Sequence, residues 1–313
     1  MQLDKQDILV SIISVNYNGL GVILDYLDSI EKFIHSVTYE VIVVDNASTD
    51  GSLELVAQKF PQVQLIQSSK NLGFGAGNNL GAQAAKGNFL FLLNTDTVLL
   101  SDPLPHLLAL MQTHLDVGLI GPKLLNPDGT LQLSVVPAIG LRGEYQAQQQ
   151  LKKYQSANNQ AAISQQFQVI QEVEIVIGAA IFIRKEVFDS LGGFDENFFM
   201  YFEESDLCQR SRNQGWKILY TPQTALIHLK GQSVNQRADA MAIEYRKSQL
   251  YYYQKHCSLV EQILVRLYLL IKFLSLFLKT LNPTFGKILL LLFNFKQYPL
   301  SFKPRSSLNV TPR

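Results

Sequence analysis

Carboxylates are concentrated in one short segment of the chain. Glu203, Glu204 and Asp206 lie within four positions, directly after the aromatic run 198–202. Because these aromatic side chains cannot all face solvent, we expect the carboxylates to line a partly dry cavity. Crowding and burial raise the pKa of a carboxyl group and make it a suitable proton acceptor. The same acids are also typical of a helix N-terminus, here predicted for 203–213, and both interpretations can hold together.

Two more acids follow apolar runs that are typical of buried strands. Asp45 ends the run 41–45, and Asp96 comes just after the run 89–94, which itself ends at Asn94. A carboxylate at a strand end can accept a hydrogen bond from the N–H of a pyrimidine base. One carboxylate with a nearby amide suits a hard divalent cation that keeps most of its coordination for water and diphosphate oxygens. Taken singly, each segment is explained equally well by an ordinary turn.

Two other features need a choice between functional and structural interpretations. His228 ends the predicted strand 225–228 and is a metal-ligand candidate by residue type, although a lone histidine is more often structural. Gly73, Gly75 and Gly77 suggest a dinucleotide-binding loop. They do not follow the first strand and their spacing is wrong for that loop, which excludes a Rossmann dehydrogenase.

Alternating strands and helices must position these residues. Continuous apolar runs bounded by turn residues predict strands over 8–15, 41–45, 63–67 and 89–94, and helical spacing predicts helices over 20–33, 52–59 and 78–86. This order predicts a doubly wound α/β sheet, in which ligands bind at the carboxyl ends of the strands. Polar residues gather at those ends, with Asn16 and Asn18 after the first strand.

The middle of the chain carries a second set of elements. Residues 119–123 and 130–134 predict a hairpin closed at 126–129 by an Asn-Pro-Asp-Gly turn. The Gln-rich stretch 144–171 predicts a surface helix or a mobile insertion. Residues 174–184 predict a strand, in which the small residues 178–180 permit close approach of a ligand or of a neighbouring strand.

The C-terminal segment differs from the rest in charge and hydropathy. Beyond Tyr253 the chain has nine basic residues and one acid. The net charge of the full chain is nevertheless only +1, and this near-neutral total excludes general nucleic-acid binding. Residues 259–295 are apolar but interrupted by Lys and Arg, and they fall short of the roughly 20 apolar residues that a membrane span needs. We expect two amphipathic helices, separated at Pro283, on an anionic membrane surface; packing on the body or dimerisation is the alternative. The predicted domains are 1–252 and this tail, 253–313.

The compartment follows from the cysteines and the N-terminus. Two cysteines are too few for a disulfide scaffold and lack zinc-ligand spacing, so we expect reduced thiols. The first residues lack the basic start and the cleavage site of a secretory signal. A cytoplasmic body is therefore expected.

Five ordered blocks within residues 8–235 together resemble family 2 glycosyltransferases, and above all their bacterial rhamnosyltransferase-like branch. The blocks are VDNASTDGS, NLGFGAGNN, LNTD, GGFDENFFMYFEESDLC and GWKILYTP. The resemblance implies a GT-A fold, that is, a doubly wound mixed sheet flanked by helices. It also implies a nucleotide-sugar donor, Mg²⁺ or Mn²⁺, and inversion at the anomeric carbon.

The resemblance assigns roles to the nucleotide-binding and metal-binding positions of this sequence. Asp45 is similar to the family's base-recognising acid, and Asn16 and Asn18 would line the nucleotide pocket beside it. Asn94 and Asp96 occupy the two ends of a DXD-type element, with Asp96 as the metal-binding member. His228 matches a histidine that completes metal coordination in several relatives. Asn78 stands where many relatives have an arginine near the diphosphate.

The resemblance also assigns the acids after the aromatic run. Glu204 occupies the position of the family's catalytic base, usually the second acid of a Glu-Asp pair, while Glu203 and Asp206 would orient the acceptor or the helix start. Residues 192–195 would form part of the acceptor rim.

The function implied is an inverting, metal-dependent hexosyltransferase of cell-wall or polysaccharide biosynthesis. It would move L-rhamnose from dTDP-L-rhamnose to a hydroxyl of a polyprenyl-diphosphate-linked or polysaccharide acceptor at the cytoplasmic face of the inner membrane. Two alternatives stay open: a related transferase that uses another UDP- or dTDP-sugar, and a non-catalytic homologue that binds a nucleotide-sugar.

Overall fold

A mixed β-sheet forms the centre of the protein. The structure, a computed structural model, describes residues 9–140, 142–143, 145–146, 149, 154, 164–229 and 238–293. Most of the Gln-rich stretch predicted as an insertion over 144–171, and the predicted tail beyond residue 293, lie outside the described residues.

The elements follow one another as the alternation of apolar runs and helical stretches predicts. The strands are β1 (Val10–Asn16), β2 (Tyr39–Asp45), β3 (Gln64–Gln67), β4 (Phe89–Leu93), β5 (Thr97–Leu99), β6 (Val117–Leu125), β7 (Leu131–Gln132), β8 (Val135–Val136), β9 (Gln171–Glu172), β10 (Ile175–Val176), β11 (Ala180–Arg184) and β12 (Lys217–His228). The helices that we number are α1 (Ile23–Phe33), α2 (Ser52–Lys59), α3 (Phe74–Ala84), α4 (Leu104–Thr113), α5 (Lys185–Ser190), α6 (Glu203–Asn213), α7 (Ala238–His256), α8 (Leu259–Thr280) and α9 (Pro283–Leu292).

The main sheet has the strand order β3-β2-β1-β4-β11-β6-β12-β5, with β7 paired to β6 and β9 to β12. Strands β3, β2, β1 and β4 are parallel, whereas β11 runs antiparallel to both β4 and β6. The predicted α/β sheet with helices on its faces is confirmed, and it is mixed. The predicted hairpin is present as β6 and β7, which pair antiparallel around the turn at 126–129.

Two local predictions need correction. The helix predicted over 78–86 begins four residues earlier, at Phe74, because Gly73 has a φ of 86° and turns the chain directly into α3. The single strand predicted over 174–184 is two strands. Residues 177–179 separate β10 from β11 and belong to neither strand. Within this break, Ala179 O accepts a hydrogen bond from Asn94 N.

Apolar side chains pack on both faces of the main sheet. Helices α1, α2 and α4 cover one face, and α3, α5 and α6 contribute to the core on the other. Burial on both faces explains why β1, β2 and β4 are nearly continuous apolar runs in the sequence. The buried faces hold the parallel strand ends in fixed register at one edge of the sheet.

The C-terminal helices belong to a third core that connects them to the body. Val265, Leu269 and Phe273 of α8 are buried together with Phe198 and Phe202. The domain boundary predicted between residues 252 and 253 falls inside α7, which runs without interruption across it. No helix in the described parts of the chain combines the length and the hydropathy that crossing a membrane requires.

Close packing of α3 on the sheet gives a test of the fold. A Cβ at Gly81 would lie 2.5 Å from Ile13 Cγ2 and 3.2 Å from Val44 Cγ2. We expect Gly81→Ala to lower the free energy of unfolding by about 1 to 3 kcal/mol, because overpacking outweighs the gain in helix propensity.

The measurement is urea unfolding, with Gln83→Ala at an exposed position of the same helix as the matched control. If Gly81→Ala were as stable as the control, the close approach of α3 to β1 and β2 would be wrong.

Candidate active site

Parallel register brings the predicted nucleotide-binding residues to one edge of the sheet. Strand β1 pairs with β2 so that Asn16 lies directly beside Asp45, and β4 lies on the other side of β1. The turn 94–97 therefore lies at the same edge of the sheet. The loop after β1 approaches this turn at Gly19. A Cβ at Gly19 would lie 2.4 Å from Asn16 Oδ1 and 3.6 Å from Thr95 Oγ1.

Asn16 and Asp45 are both fully buried and hold the loops after β1 and β2 together. Asn16 Nδ2 lies within hydrogen-bonding distance of Asp45 Oδ1 (3.0 Å), Ser48 Oγ (3.1 Å) and Ser52 Oγ (2.8 Å). The second carboxylate oxygen, Asp45 Oδ2, accepts a hydrogen bond from Ser48 N at 3.0 Å. Both oxygens of Asp45 therefore have protein partners, and its predicted contact with a base stays a prediction.

Asn18 supports the same loops from the surface. Its backbone has a φ of 52°, a left-handed conformation that Asn tolerates better than most residues. Its Oδ1 accepts a hydrogen bond from Thr49 N at 2.8 Å, and its own N donates to Ser48 Oγ at 2.9 Å.

Asn46, directly after β2, is a further candidate site residue, to which the sequence motifs assign no role. Its Nδ2 donates to Gly73 O at 3.0 Å, while its Oδ1 is buried without a hydrogen-bond partner. Asn78, on α3, is similar: its Nδ2 donates to Phe74 O at 3.0 Å and its Oδ1 has no partner. The position of Asn46 directly after the predicted strand indicates a place at the same edge of the sheet, but the sequence does not show that its amide is buried there.

The two predicted metal ligands lie side by side. His228 Nε2 is 3.2 Å from Asp96 Oδ1, because the end of β12 pairs with β5 just after the turn 94–97. His228 Nδ1 lies 2.7 Å from Gln132 Oε1. Gln132 Nε2 donates to the carbonyl of His228 at 3.1 Å, which identifies Oε1 as the acceptor and places the imidazole proton on Nδ1. Sequence analysis missed Gln132, because nothing in a hairpin strand indicates a partner 96 residues away.

This arrangement fits a divalent cation. A histidine that donates from Nδ1 can offer Nε2 as a metal ligand, and here Nε2 lies beside a carboxylate oxygen that could share the same cation. No group of three or more His, Cys, Asp or Glu side chains within the described residues could hold a metal. The remaining ligands would have to come from water and from the diphosphate of a nucleotide, as the single-carboxylate element predicts.

The predicted base lies at the start of α6, facing the break between β10 and β11. Burial raises the pKa of Glu204, and hydrogen bonds from the backbone N–H groups of Gly178 and Ser205 oppose that rise. The pKa of Glu203 is raised well above its ordinary value by burial and then by the charge of Glu204. Glu203 is only 4% exposed and packs where α3 begins, close to Gly75.

A cavity of about 230 Å³ opens beside Glu204. Its lining is mostly aromatic and aliphatic, with one carboxylate, one serine and two tyrosine side chains. The residues that line it are Val136, Pro137, Ile139, Gly143, Tyr201, Phe202, Glu204, Ser205 and Tyr245. An apolar pocket with a few polar groups is typical of small-molecule sites. Tyr245 comes from α7, so the C-terminal helices contribute to this cavity.

Buried oxygens without a protein partner concentrate around these loops. In the described part of the chain, the buried and unpartnered side-chain oxygens include Asn16 Oδ1, Asn46 Oδ1, Asn78 Oδ1, Glu203 Oε2 and Glu204 Oε2. An unsatisfied buried polar atom destabilises a fold by about 1 to 3 kcal/mol. A polar ligand that bonds to these atoms would offset that energy, which is why we assign the cleft as the candidate active site.

Asp206 has a different environment from Glu204. Its side chain is fully buried, and it forms ion pairs with Arg210 (2.7 Å), Lys255 (2.6 Å) and His256 (2.6 Å). Burial alone would raise its pKa, but the hydrogen bond with His256 and the charges of Arg210 and Lys255 outweigh that effect and lower the pKa to about 2. Of the two roles predicted for Asp206, this geometry supports orientation of the helix and provides no contact with an acceptor.

Asp195, the one acid of residues 192–195 that were predicted as part of an acceptor rim, also contacts α7. Asp195 is fully buried, and its Oδ2 lies 2.6 Å from Lys255 Nζ. We refer to Asp195, Asp206, Arg210, Lys255 and His256 as the ion cluster. Asp195 therefore faces α7 and does not line the cavity beside Glu204, and the assignment of 192–195 to an acceptor rim stays a prediction.

The family model of glycosyl transferase family 2 matches residues 11–192. The chain belongs to this family, and the match covers strands β2 to β11, the turn 94–97 and the break at 177–179, but not α6 or β12. The resemblance seen in the sequence motifs is thereby confirmed.

Among similar sequences is the N-acetylglucosaminyl-diphospho-decaprenol L-rhamnosyltransferase of Mycobacterium tuberculosis. It is 26% identical over 250 residues, which cover 72% of this chain and 80% of the relative.

Similar solved structures are GT-A glycosyltransferases, and they confirm the fold class. The mannosyltransferase of Pyrobaculum calidifontis, in complex with GDP-Man and Mn²⁺, has a TM-score of 0.51 and 20% identity; the match covers 80% of this chain and 64% of that one. GalNAc-T7 with UDP, GalNAc and Mn²⁺ has a TM-score of 0.55 and 15% identity; the match covers 80% of this chain and half of that one.

Proposed function

We propose that this glycosyltransferase inverts the anomeric carbon while it moves L-rhamnose from dTDP-L-rhamnose to a hydroxyl of a lipid-linked or polysaccharide acceptor. The observation that carries the proposal is the setting of Glu204, which lines a cavity with one carboxylate oxygen unpartnered. The similar rhamnosyltransferase of Mycobacterium tuberculosis supports the choice of donor and of a diphospho-polyprenol acceptor.

In this mechanism Glu204 is the general base. Burial favours the protonated form, so the carboxylate is a stronger proton acceptor than an exposed glutamate. Oε2 of Glu204 has no protein hydrogen-bond partner, so it is the oxygen that would accept the proton of the acceptor hydroxyl. The aromatic lining of the cavity excludes water around the acceptor.

At the other end of the 177–179 segment, Asp96 and His228 would hold Mg²⁺ or Mn²⁺. When bound, the ion supplies positive charge to the departing diphosphate. Gln132 fixes the imidazole proton on Nδ1 and so keeps Nε2 of His228 directed to the side of Asp96. Amide groups surround the nucleotide side of the cleft, from Asn16, Asn46 and Asn78. They would select the nucleotide by hydrogen bonding and add no charge to the site.

Substitution of the proposed base tests the mechanism. We expect Glu204→Gln to lower kcat by about 100- to 10,000-fold, since the amide cannot accept the proton. Binding of the nucleotide-sugar, measured by thermal shift, should persist. In the wild type, kcat should fall as the pH drops through the raised pKa of Glu204, at a higher pH than an ordinary glutamate would give, and the variant should lack this acidic limb.

Glu186→Gln, at an exposed glutamate of α5, is the matched control. An unchanged rate in folded Glu204→Gln would refute the assignment of the base. Wild-type protein that releases no nucleotide with any donor and acceptor would favour the non-catalytic homologue, and turnover with another sugar alone would favour the related transferase.

The metal assignment predicts a ligand-dependent stabilisation. A ligand that binds only the native state raises the melting temperature. We expect Mn²⁺ to increase the Tm shift that dTDP gives with the wild type, and we expect Asp96→Ala to lose the Mn²⁺-dependent part of the shift.

Asp116→Ala removes an exposed carboxylate on the loop before β6 and should respond like the wild type. An equal Mn²⁺ effect in the Asp96 variant would show that this carboxylate does not bind the ion.

The tail is proposed to bind an anionic membrane surface through one face of α8. Exposed apolar side chains recur along it at three- and four-residue intervals, and we refer to them as the apolar stripe: Val260, Ile263, Leu267, Ile271, Leu274 and Leu278. The opposite face packs on the body. Exposed Lys272 and Lys279 flank the stripe, as interfacial helices require. Arg266 does not flank the apolar stripe in the same way, because its guanidinium donates a hydrogen bond to Leu292 O of α9 at 2.8 Å.

Two sets of substitutions separate the apolar from the electrostatic contribution. We expect the double variant Ile271→Glu, Leu278→Glu to abolish sedimentation with vesicles that contain phosphatidylserine. Lys272→Gln with Lys279→Gln should weaken binding by about 1 kcal/mol per lysine and should reduce its salt dependence.

Leu115→Glu, at a residue 75% exposed on the body, is the control and should bind like the wild type. If the double glutamate variant sediments unchanged, the stripe does not bind membranes. If it instead converts a dimer to a monomer, a second copy occupies the stripe.

A further inference from the structure

A partly buried lysine connects two buried carboxylates that lie 11 residues apart in the sequence. Lys255 Nζ, near the end of α7, lies 2.6 Å from Asp195 Oδ2 and 2.6 Å from Asp206 Oδ1. Both carboxylates are completely buried. Like charges this close repel one another strongly in a low-dielectric environment, so the ammonium group between them stabilises the arrangement.

The other members of the ion cluster anchor each carboxylate to a different part of the body. Arg210 binds Asp206 within α6, and its guanidinium also donates to Leu191 O and Gly193 O, both at 2.8 Å. Tyr251, one turn before Lys255 on α7, donates to Asp195 Oδ2 at 2.8 Å. The ion cluster therefore fixes α6 relative to both α7 and the 191–195 loop.

The start of α6 needs this support. Tyr201 and Phe202 precede the helix and both have a φ of 68°, which is unfavourable for large side chains. The ring of Phe202 contacts Tyr245 and Tyr252, with centroid separations of 5.1 and 5.7 Å. Helix α7 therefore contacts the first turn of α6 through aromatic packing as well as through the ion cluster.

We propose that Lys255 is a positioning residue for catalysis, because it fixes the N-terminal turn of α6 and thereby the carboxylate of Glu204. This inference rests on the proposed role of Glu204 as the base. Glu204 lies two residues before Asp206, so a shift of α6 at Asp206 moves the base. Lys255 itself does not line the cavity.

Loss of the ammonium group should therefore affect the chemical step more than donor binding. Lys255→Met keeps a long side chain but leaves two buried carboxylates facing each other. We expect kcat to fall about 100-fold, the scale of a base displaced by about 1 Å. The KM for the nucleotide-sugar should change less than about threefold, because its proposed binding loops follow β1, β2 and β4.

Three companion variants make the test specific. Lys247→Met removes a half-exposed lysine from the same helix and should behave like the wild type. Gly81→Ala is the control for lost stability alone and should keep its kcat at a temperature where it is folded. Asp195→Asn combined with Lys255→Met removes one charge of each sign, and we expect it to recover at least tenfold of the lost kcat.

The decisive outcomes do not depend on one assay. An unchanged kcat in folded Lys255→Met, or no recovery in the double variant, would refute the inference. Hydrogen exchange of the amides of 203–206 supplies a readout that needs no substrate, and we expect faster exchange in Lys255→Met than in Lys247→Met. If the wild type transfers no sugar, the proposed function fails, and equal exchange in the two variants would separately refute the positioning by Lys255.

Discussion

Burial of several carboxylates within one helical turn is the constraint on which this active site depends. Glu204 and Asp206 are two residues apart, but they face opposite sides of α6. Burial raises the pKa of Glu204, whereas the hydrogen bond with His256 and the charges of Arg210 and Lys255 hold the pKa of Asp206 at about 2 in spite of burial. The fold thus gives neighbouring acids opposite tendencies to bind a proton, a pattern that separates a proton acceptor from a structural charge.

The arrangement of the sheet was largely predictable, because burial on both faces leaves a clear signal in the sequence. Strands β1, β2 and β4 are nearly continuous apolar runs, and their order with the intervening helices indicates the fold class. The prediction failed where backbone conformation overrides hydropathy. The positive φ of Gly73 starts α3 early, and the hydrogen bond between Asn94 and Ala179 interrupts an apolar run that otherwise resembles one strand.

The site residues at the ends of neighbouring parallel strands were predictable from the sequence. The side-chain partners that come from distant segments of the chain were not. The positions of Asn16, Asp45 and Asp96 follow from parallel strands that end at one edge, and the proximity of His228 to Asp96 agrees with the family motif. Nothing local indicates that Gln132 orients His228, or that Lys255 bridges two carboxylates about 50 residues upstream. Such partners are fixed by tertiary packing alone.

The continuity of α7 across residues 252 and 253 affects how the C-terminal segment can be studied. A chain cut at that point loses Lys255 and His256 along with α8 and α9, and it exposes Phe198 and Phe202. Such a deletion would remove the proposed membrane-binding helix and displace Glu204 at the same time, so a loss of activity could not be assigned to either change. Single side chains on the outer surface of α8 therefore separate the proposed membrane attachment from sugar transfer better than a cut at residue 252 does.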